Sequence, residues 1–159
     1  MELEERRIRV EGERIRVESN TVEEMQKVYE KETDAEMKQA YYEMVTEMKR
    51  IPGREEWACD WSILRKSDGT SIGGVGFKGV PDSKGIVEIG YGIDEPYQNQ
   101  GYATEAVKVM LAWALAQEDV ICVRAQTDPD NRKSQKVLKK NGFQPAGQGE
   151  EGPLFEVRK

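Results

Sequence analysis

The stretch from Glu88 to Trp113 restricts the fold more than any other part of this chain. Glu88 to Ile93 alternates in the strand period, Pro96 breaks the run, and Gln98-Asn99-Gln100-Gly101-Tyr102-Ala103 leads into an amphipathic helix over 101–117. A strand–turn–helix junction of this kind aims several free N–H groups, and the positive end of the helix dipole, at one spot. That spot suits a phosphate or pyrophosphate. The β-branched segment from Ile121 to Thr127 comes next. Strand–helix–strand order makes it the parallel partner of 86–93, because such a crossover returns the chain in the same direction.

The flanks predict what surrounds this unit. Arg7-Ile8-Arg9-Val10-Glu11 recurs as Arg14-Ile15-Arg16-Val17-Glu18 with Gly12 between the copies, which predicts a hairpin with a loosely held first strand. Thr21-Val22-Glu23-Glu24 and Thr33-Asp34-Ala35-Glu36 are capping-box patterns opening two helices, the second stopped by Ile51-Pro52-Gly53. Strands are expected over Trp57–Arg65, Ser71–Lys78 and 86–93 as an antiparallel meander. Gly73, Gly74 and Gly76 mark a bulge or a close backbone approach. Asn131 opens a basic helix ended by Asn141-Gly142, and two strands, Phe143–Gln148 and Leu154–Val157, close the chain. The fold class is α/β in the mixed (α+β) sense. A mostly antiparallel sheet holds a central parallel pair, with helices on both faces, and residues 1–159 read as one domain.

Composition removes whole classes of chemistry. With no histidine, Ser-His-Asp and Cys-His schemes are excluded and a zinc site is disfavoured, so a base must be carboxylate, lysine, tyrosine or relayed water. Cys59 and Cys122 form no C-x-x-C and are expected as buried thiols in a reducing cytosol. The acidic Met1–Glu5 start lacks a signal-peptide core, and the longest apolar run, Val109 to Ala116, is too short for a bilayer. The expectation is a cytoplasmic protein without a membrane partner, monomer or homodimer.

The net charge of −6 is uneven. Residues 1–56 carry 16 acids against 11 bases, whereas 124–140 carries six bases against Asp128 and Asp130. A basic segment after a phosphate-type turn fits a small polyanion and not nucleic acid, which would want a basic domain. The acidic first third suits a cationic acceptor.

On 86–93, Val87, Ile89, Tyr91 and Ile93 face one way, and Glu88, Gly90 and Gly92 the other. A carboxylate followed by two bare glycines is either an ordinary solvent face or a groove beside the backbone. Gln98-x-x-Gly101-x-Ala103 puts small residues where backbone must approach phosphate, and Thr104 adds a hydroxyl. Asn131 and Ser134 read as a helix cap and a first-turn residue, or as a second wall of the same site.

These residues together resemble the GNAT superfamily of acetyl-CoA-dependent N-acetyltransferases, over about Arg14 to Gly142. The branch of ribosomal-protein N-terminal acetyltransferases is the most similar. The resemblance rests on Trp57…Ile63, Ile72-Gly73, Glu88-Ile89-Gly90-Tyr91, Tyr97-Gln98-x-x-Gly101-Tyr102-Ala103-Thr104-Glu105-Ala106, Asn131-x-x-Ser134 and Asn141-Gly142-Phe143. It implies a sheet split between 86–93 and 121–127 around acetyl-CoA. Main-chain groups of Tyr91, Gly92 and Ile93 would hold the pantetheine, and the turn Gln98, Asn99, Gln100, Gly101, Tyr102, Ala103 and Thr104 the pyrophosphate. Asn131 would bond the pantetheine, and Arg132, Lys133 or Lys136 would meet the ribose phosphate. Glu88 would be the general base, with its pKa raised by burial, and Ser134 the acid, with Tyr41 or Tyr42 as weaker candidates. The implied reaction is acetyl transfer to an amine, a small cationic amine or a protein N-terminus. The rival is a non-catalytic acetyl-CoA sensor, which would need neither Glu88 nor Ser134.

Overall fold

The repeated N-terminal segment forms a hairpin in the computed structural model, which describes residues 7–159. The acidic Met1–Glu5 stretch lies outside the described residues. Strand β1 (Arg9–Glu11) is a three-residue edge on β2 (Ile15–Ser19), as the weak Glu-Gly turn signal leads one to expect. Helix α1 (Val22–Lys31) starts at a true capping box: Thr21 Oγ1 accepts the Glu24 N–H at 3.1 Å, and Glu24 Oε1 accepts the Thr21 N–H at 2.9 Å. Helix α2 (Ala35–Arg50) departs from its expected start. Asp34, not Thr33, is the cap and accepts the Met37 N–H at 3.0 Å.

The next strand is shorter than the alternation suggests. Glu55–Trp57 is a 3-10 turn, so that the Trp61 indole N–H reaches the Glu56 carbonyl at 2.9 Å, and β3 begins only at Asp60 (Asp60–Arg65). Strands β4 (Ser71–Phe77) and β5 (Ile86–Ile93), helix α3 (Tyr102–Leu115), β6 (Cys122–Gln126) and α4 (Arg132–Lys140) follow as expected, then β7 (Gln144–Gln148) and β8 (Pro153–Arg158). The sheet order is β1-β2-β3-β4-β5-β6-β8-β7, antiparallel except for β5–β6. The last hairpin folds back, so the later strand, β8, lies next to β6.

Side-chain parity sorts the two faces. Ile15, Val17, Trp61, Ile63, Val75, Val87 and Ile89 are buried on the side covered by α3. There Trp113 meets Trp57 and Trp61 at ring-centroid distances of 5.0 Å, and Phe77 at 5.9 Å. Each such side chain removed from water contributes about 2 kcal/mol. Ala106, Val107, Met110 and Ala114 complete this core as the buried stripe of α3. Helices α1 and α2 cover the other face, where Met25, Val45 and Met48 are buried. Cys59 and Cys122 are buried and unbridged. Among the described residues no helix is long and apolar enough to cross a membrane.

The parallel pair that organises the sheet is short. Strand β5 meets β6 only from Ile86↔Cys122 to Glu88↔Arg124, and then the two part. Strand β6 continues along β8 while residues 89–93 of β5 keep only β4.

Candidate active site

The split between β5 and β6 leaves main-chain groups facing outward, and the register identifies them. Lys78 N–H bonds the Glu88 carbonyl at 3.0 Å, and Asp94 N–H bonds the Ile72 carbonyl at 2.9 Å. Even-numbered residues of β5 therefore spend their main-chain groups on β4. Those of Tyr91 and Ile93, beyond the last β6 pair at Glu88↔Arg124, turn into the split. Gly92 departs from expectation, since its main chain belongs to β4 through Gly74; what Gly92 contributes is a missing side chain. The Ile93 carbonyl accepts the Gln98 side-chain N–H at 2.8 Å, so Gln98 ties the turn back to the strand.

The turn itself is a nest of left-handed residues. Asn99 has φ 63° and Gly101 φ 84°, and no side chain of the described residues caps the start of α3 at Gly101. The first N–H groups of the helix, from Tyr102 to Thr104, have no intrahelical acceptor and carry the positive end of the dipole, and Ala103 lines the split. Arg14 braces the nest from the back. Its guanidinium donates to the Gln100 carbonyl at 3.0 Å, pairs with Glu105 at 3.0 Å, and lies 4.4 Å from the Tyr102 ring centre. Glu105 also accepts the main-chain N–H of Arg14 at 2.7 Å, which ties the hairpin to the first turn of α3.

The opposite wall comes from α4. Asn131 Oδ1 accepts the Ser134 N–H at 3.0 Å and caps the helix, so the plain capping reading is realised while the residue still lines the split. The Ser134 and Tyr91 hydroxyls lie 2.7 Å apart, a contact the sequence pattern did not reveal. Burial raises the Tyr91 phenol above its ordinary pKa, partly offset by the bond to Ser134. A cavity of about 250 Å³ joins Tyr91, Ile93, Gln98, Ala103, Asn131 and Ser134. Of the three basic candidates on α4, Lys133 lines it. Lys136, one turn further along the helix and exposed like Lys133, is not among the residues that line it.

Glu88 sits where the strands part, and both its oxygens have partners. Oε2 pairs with Lys78 at 2.5 Å, and Oε1 accepts the Gln126 side-chain N–H at 2.9 Å. Burial works against the Lys78 charge, but the Glu88 bond and charge, with Glu151, raise its pKa overall. Neither Lys78 nor Gln126 carried a signal in the sequence, since each meets Glu88 only through strand register.

The α2 side of the same strands is bare. Gly76 pairs with Gly90 and Gly74 with Gly92, giving four glycines in two adjacent rows. A Cβ on Gly90 or Gly92 would meet nothing within 4 Å. A cavity of about 380 Å³ stands over them, roofed by Met44 and flanked by Asp60 and Asp94. The two cavities share Tyr91, Gly92 and Ile93 and so meet across the free edge of β5. Tyr41, a weaker acid candidate, has its pKa raised by burial and then by Asp60, Glu32 and Asp94. Tyr42 is half exposed and lies instead in an outer hollow with Tyr29 and Lys38.

The chain is similar to known proteins in sequence and in fold. The family model described as acetyltransferase (GNAT) domain matches residues 6–144. An uncharacterized N-acetyltransferase of Bacillus subtilis (strain 168), YjdG, is 40% identical over 83 residues, 52% of this chain and 49% of that protein. The chain spans about half the length of the curated relatives it matches. Among solved structures, the ribosomal-protein-S5-alanine acetyltransferase of Vibrio fischeri superposes with TM-score 0.71 at 20% identity, covering 95% of this chain and 96% of that one. A ribosomal L7/L12 alpha-N-protein acetyltransferase in complex with coenzyme A gives TM-score 0.74 at 13% identity, covering 95% and 98%.

Proposed function

Because the chain belongs to the acetyltransferase (GNAT) domain family, we propose that it transfers an acetyl group from acetyl-CoA to a primary amine. One observation carries this reading: the uncapped start of α3, the free edge of β5 and the Ser134–Tyr91 hydroxyl pair open onto a single cavity. That set fits the parts of acetyl-CoA in order. The N–H groups from Asn99 to Thr104 would take the pyrophosphate, with Lys133 as the nearby cation. Main-chain groups of Tyr91 and Ile93 would hold the amide-bearing arm, with Asn131 on the far wall.

Acetyl-CoA supplies an activated thioester carbonyl. The acceptor arrives as an ammonium, near the lysine value of ~10.4 for an alkyl amine, and must lose a proton before it attacks. As the C–N bond forms and the C–S bond breaks, one amine proton goes to solvent through a base and the sulfur leaves with another. Ser134 O–H gives the proton to sulfur and recovers it through Tyr91. Main-chain N–H groups of β5 stabilise the oxyanion. Glu88 is the sequence-based choice for the base; bonded to Lys78 and Gln126, it would accept a proton only by releasing one of them.

The acceptor class follows from the acidic first third and from Asp60 and Asp94 beside the α2-side cavity. A cationic amine fits, and we keep peptide N-termini in the same set because the structural neighbours include a ribosomal L7/L12 alpha-N-protein acetyltransferase. The test is thiol release from acetyl-CoA with a panel of polyamines, aminoglycosides and N-terminal peptides, the product read by mass. Coenzyme A binding without thiol release on any acceptor would favour the sensor reading and end this one.

A further inference from the structure

We infer that the acceptor crosses the four-glycine floor on the α2 side and delivers its ammonium to Asp60, which takes the proton that must leave; this rests on the acetyl-transfer reading above. Asp60 stands at the start of β3 with its Cα opposite Gly76. Its carboxylate leans over the next row. A Cβ on Gly74 would lie 2.6 and 2.8 Å from the two oxygens, so the glycine is what admits it there. Gly74 pairs with Gly92, which lines both cavities, so the carboxylate lies about one strand spacing, roughly 5 Å, inside the free edge of β5.

The carboxylate has no donor among the described residues. The neighbouring Asn20 amide is spent on the Asp60 carbonyl, at 2.6 Å, and on the Ser62 hydroxyl, at 3.1 Å. The groups that face it are Asp94 from the end of β5, Tyr41 from α2, and Cys59 beside it, whose thiol burial pushes up to about 12. The cation of this cavity, Lys78, is committed to Glu88 and Glu151. An unpaired charge that its surroundings partly desolvate is costly, and an incoming ammonium would relieve that cost. Burial, then Asp94, pushes Asp60 up to about 6, which makes it a stronger base than an ordinary aspartate while leaving it ionised at neutral pH. The same two carboxylates disfavour amines that carry their own neighbouring carboxylate, so free amino acids should be poor acceptors and diamines or peptide N-termini good ones.

The test compares Asp60→Asn and Glu88→Gln with 1,4-diaminobutane and an alanyl tripeptide amide as acceptors. Asp60→Asn should lower kcat/KM for the better acceptor about 100-fold, keep coenzyme A binding within about twofold, and remove the fall in rate below about pH 6. Glu88→Gln should retain that acidic fall. In the wild-type protein, a carbon-detected titration of the Asp60 carboxyl should move to lower pH when 1,4-diaminobutane is added. Wild-type kcat/KM with an intact acidic limb in Asp60→Asn would overturn the inference. If no acceptor is turned over at all, the acetyl-transfer reading fails, and the titration still decides whether Asp60 receives an ammonium: an unmoved midpoint ends that too.

Discussion

The two faces of β5 use one strand for opposite ends. On the α3 side, Val87 and Ile89 are 3% exposed and pack into the aromatic core, with Tyr91 continuing the row to Ser134. On the α2 side, Gly90 and Gly92 present no side chain, and the pairing glycines of β4 extend the gap. The packed face keeps the strand in place and the bare face leaves it accessible. Substitutions alternate in consequence with the same period of two: an odd-numbered change threatens the fold, and an even-numbered one the traffic across it.

The largest break in this contrast is Gly92→Leu. Nothing lies within 4 Å of the added Cβ and the backbone needs no left-handed conformation, so the fold should survive. Turnover of the acceptor should drop by about 1,000-fold, because the side chain fills the approach to the reacting carbon. Steady-state rates beside a melting curve would check both halves.

Asp60→Asn tests the cost of keeping the bare face acidic. A carboxyl raised from 3.8 to about 6 on folding stabilises the native state fully below pH 4, and that contribution is lost as pH rises through 6. Urea unfolding at pH 8 should therefore show the asparagine variant more stable by up to about 3 kcal/mol, with the difference vanishing near pH 4. Equal pH dependence in the two proteins would show that the carboxyl carries no burial penalty.

Smaller effects sharpen the packed side. Ser134→Ala should reduce kcat about 30-fold and leave acetyl-CoA affinity nearly as it was, since the serine hydroxyl is asked only to protonate sulfur. Arg14→Ala should raise KM for acetyl-CoA about fivefold with kcat held, because the brace acts on the nest from behind; calorimetry with coenzyme A would measure it.

The parts legible in the sequence are those written in local signals. The turn at Gln98–Ala103, the helix after it, the Thr21 capping box and the Asn141-Gly142 stop all depend on residues a few places apart, and the structure has them where expected. Even the bare face of β5 was visible as Glu88, Gly90 and Gly92. What stayed hidden depends on register between distant strands. Gly74 and Gly76 read as weak points of one strand until Gly92 and Gly90 lie opposite them. Asp60 reads as an ordinary acid at the start of a strand until Gly74 makes room for it. The reversal of β7 and β8 is likewise a tertiary outcome that no local pattern encodes.

Residues 89–93 of β5 form a sheet edge in the middle of the molecule. An unpaired edge elsewhere invites another chain to add a strand, but α3 and α4 screen this one. A ligand whose amides alternate like a peptide can serve as the missing strand, so occupancy and foldedness become one measurement. At 100 times its dissociation constant, such a ligand adds about 2.7 kcal/mol to unfolding, and a thermal-shift assay on coenzyme A fragments would show which part of the arm completes the sheet.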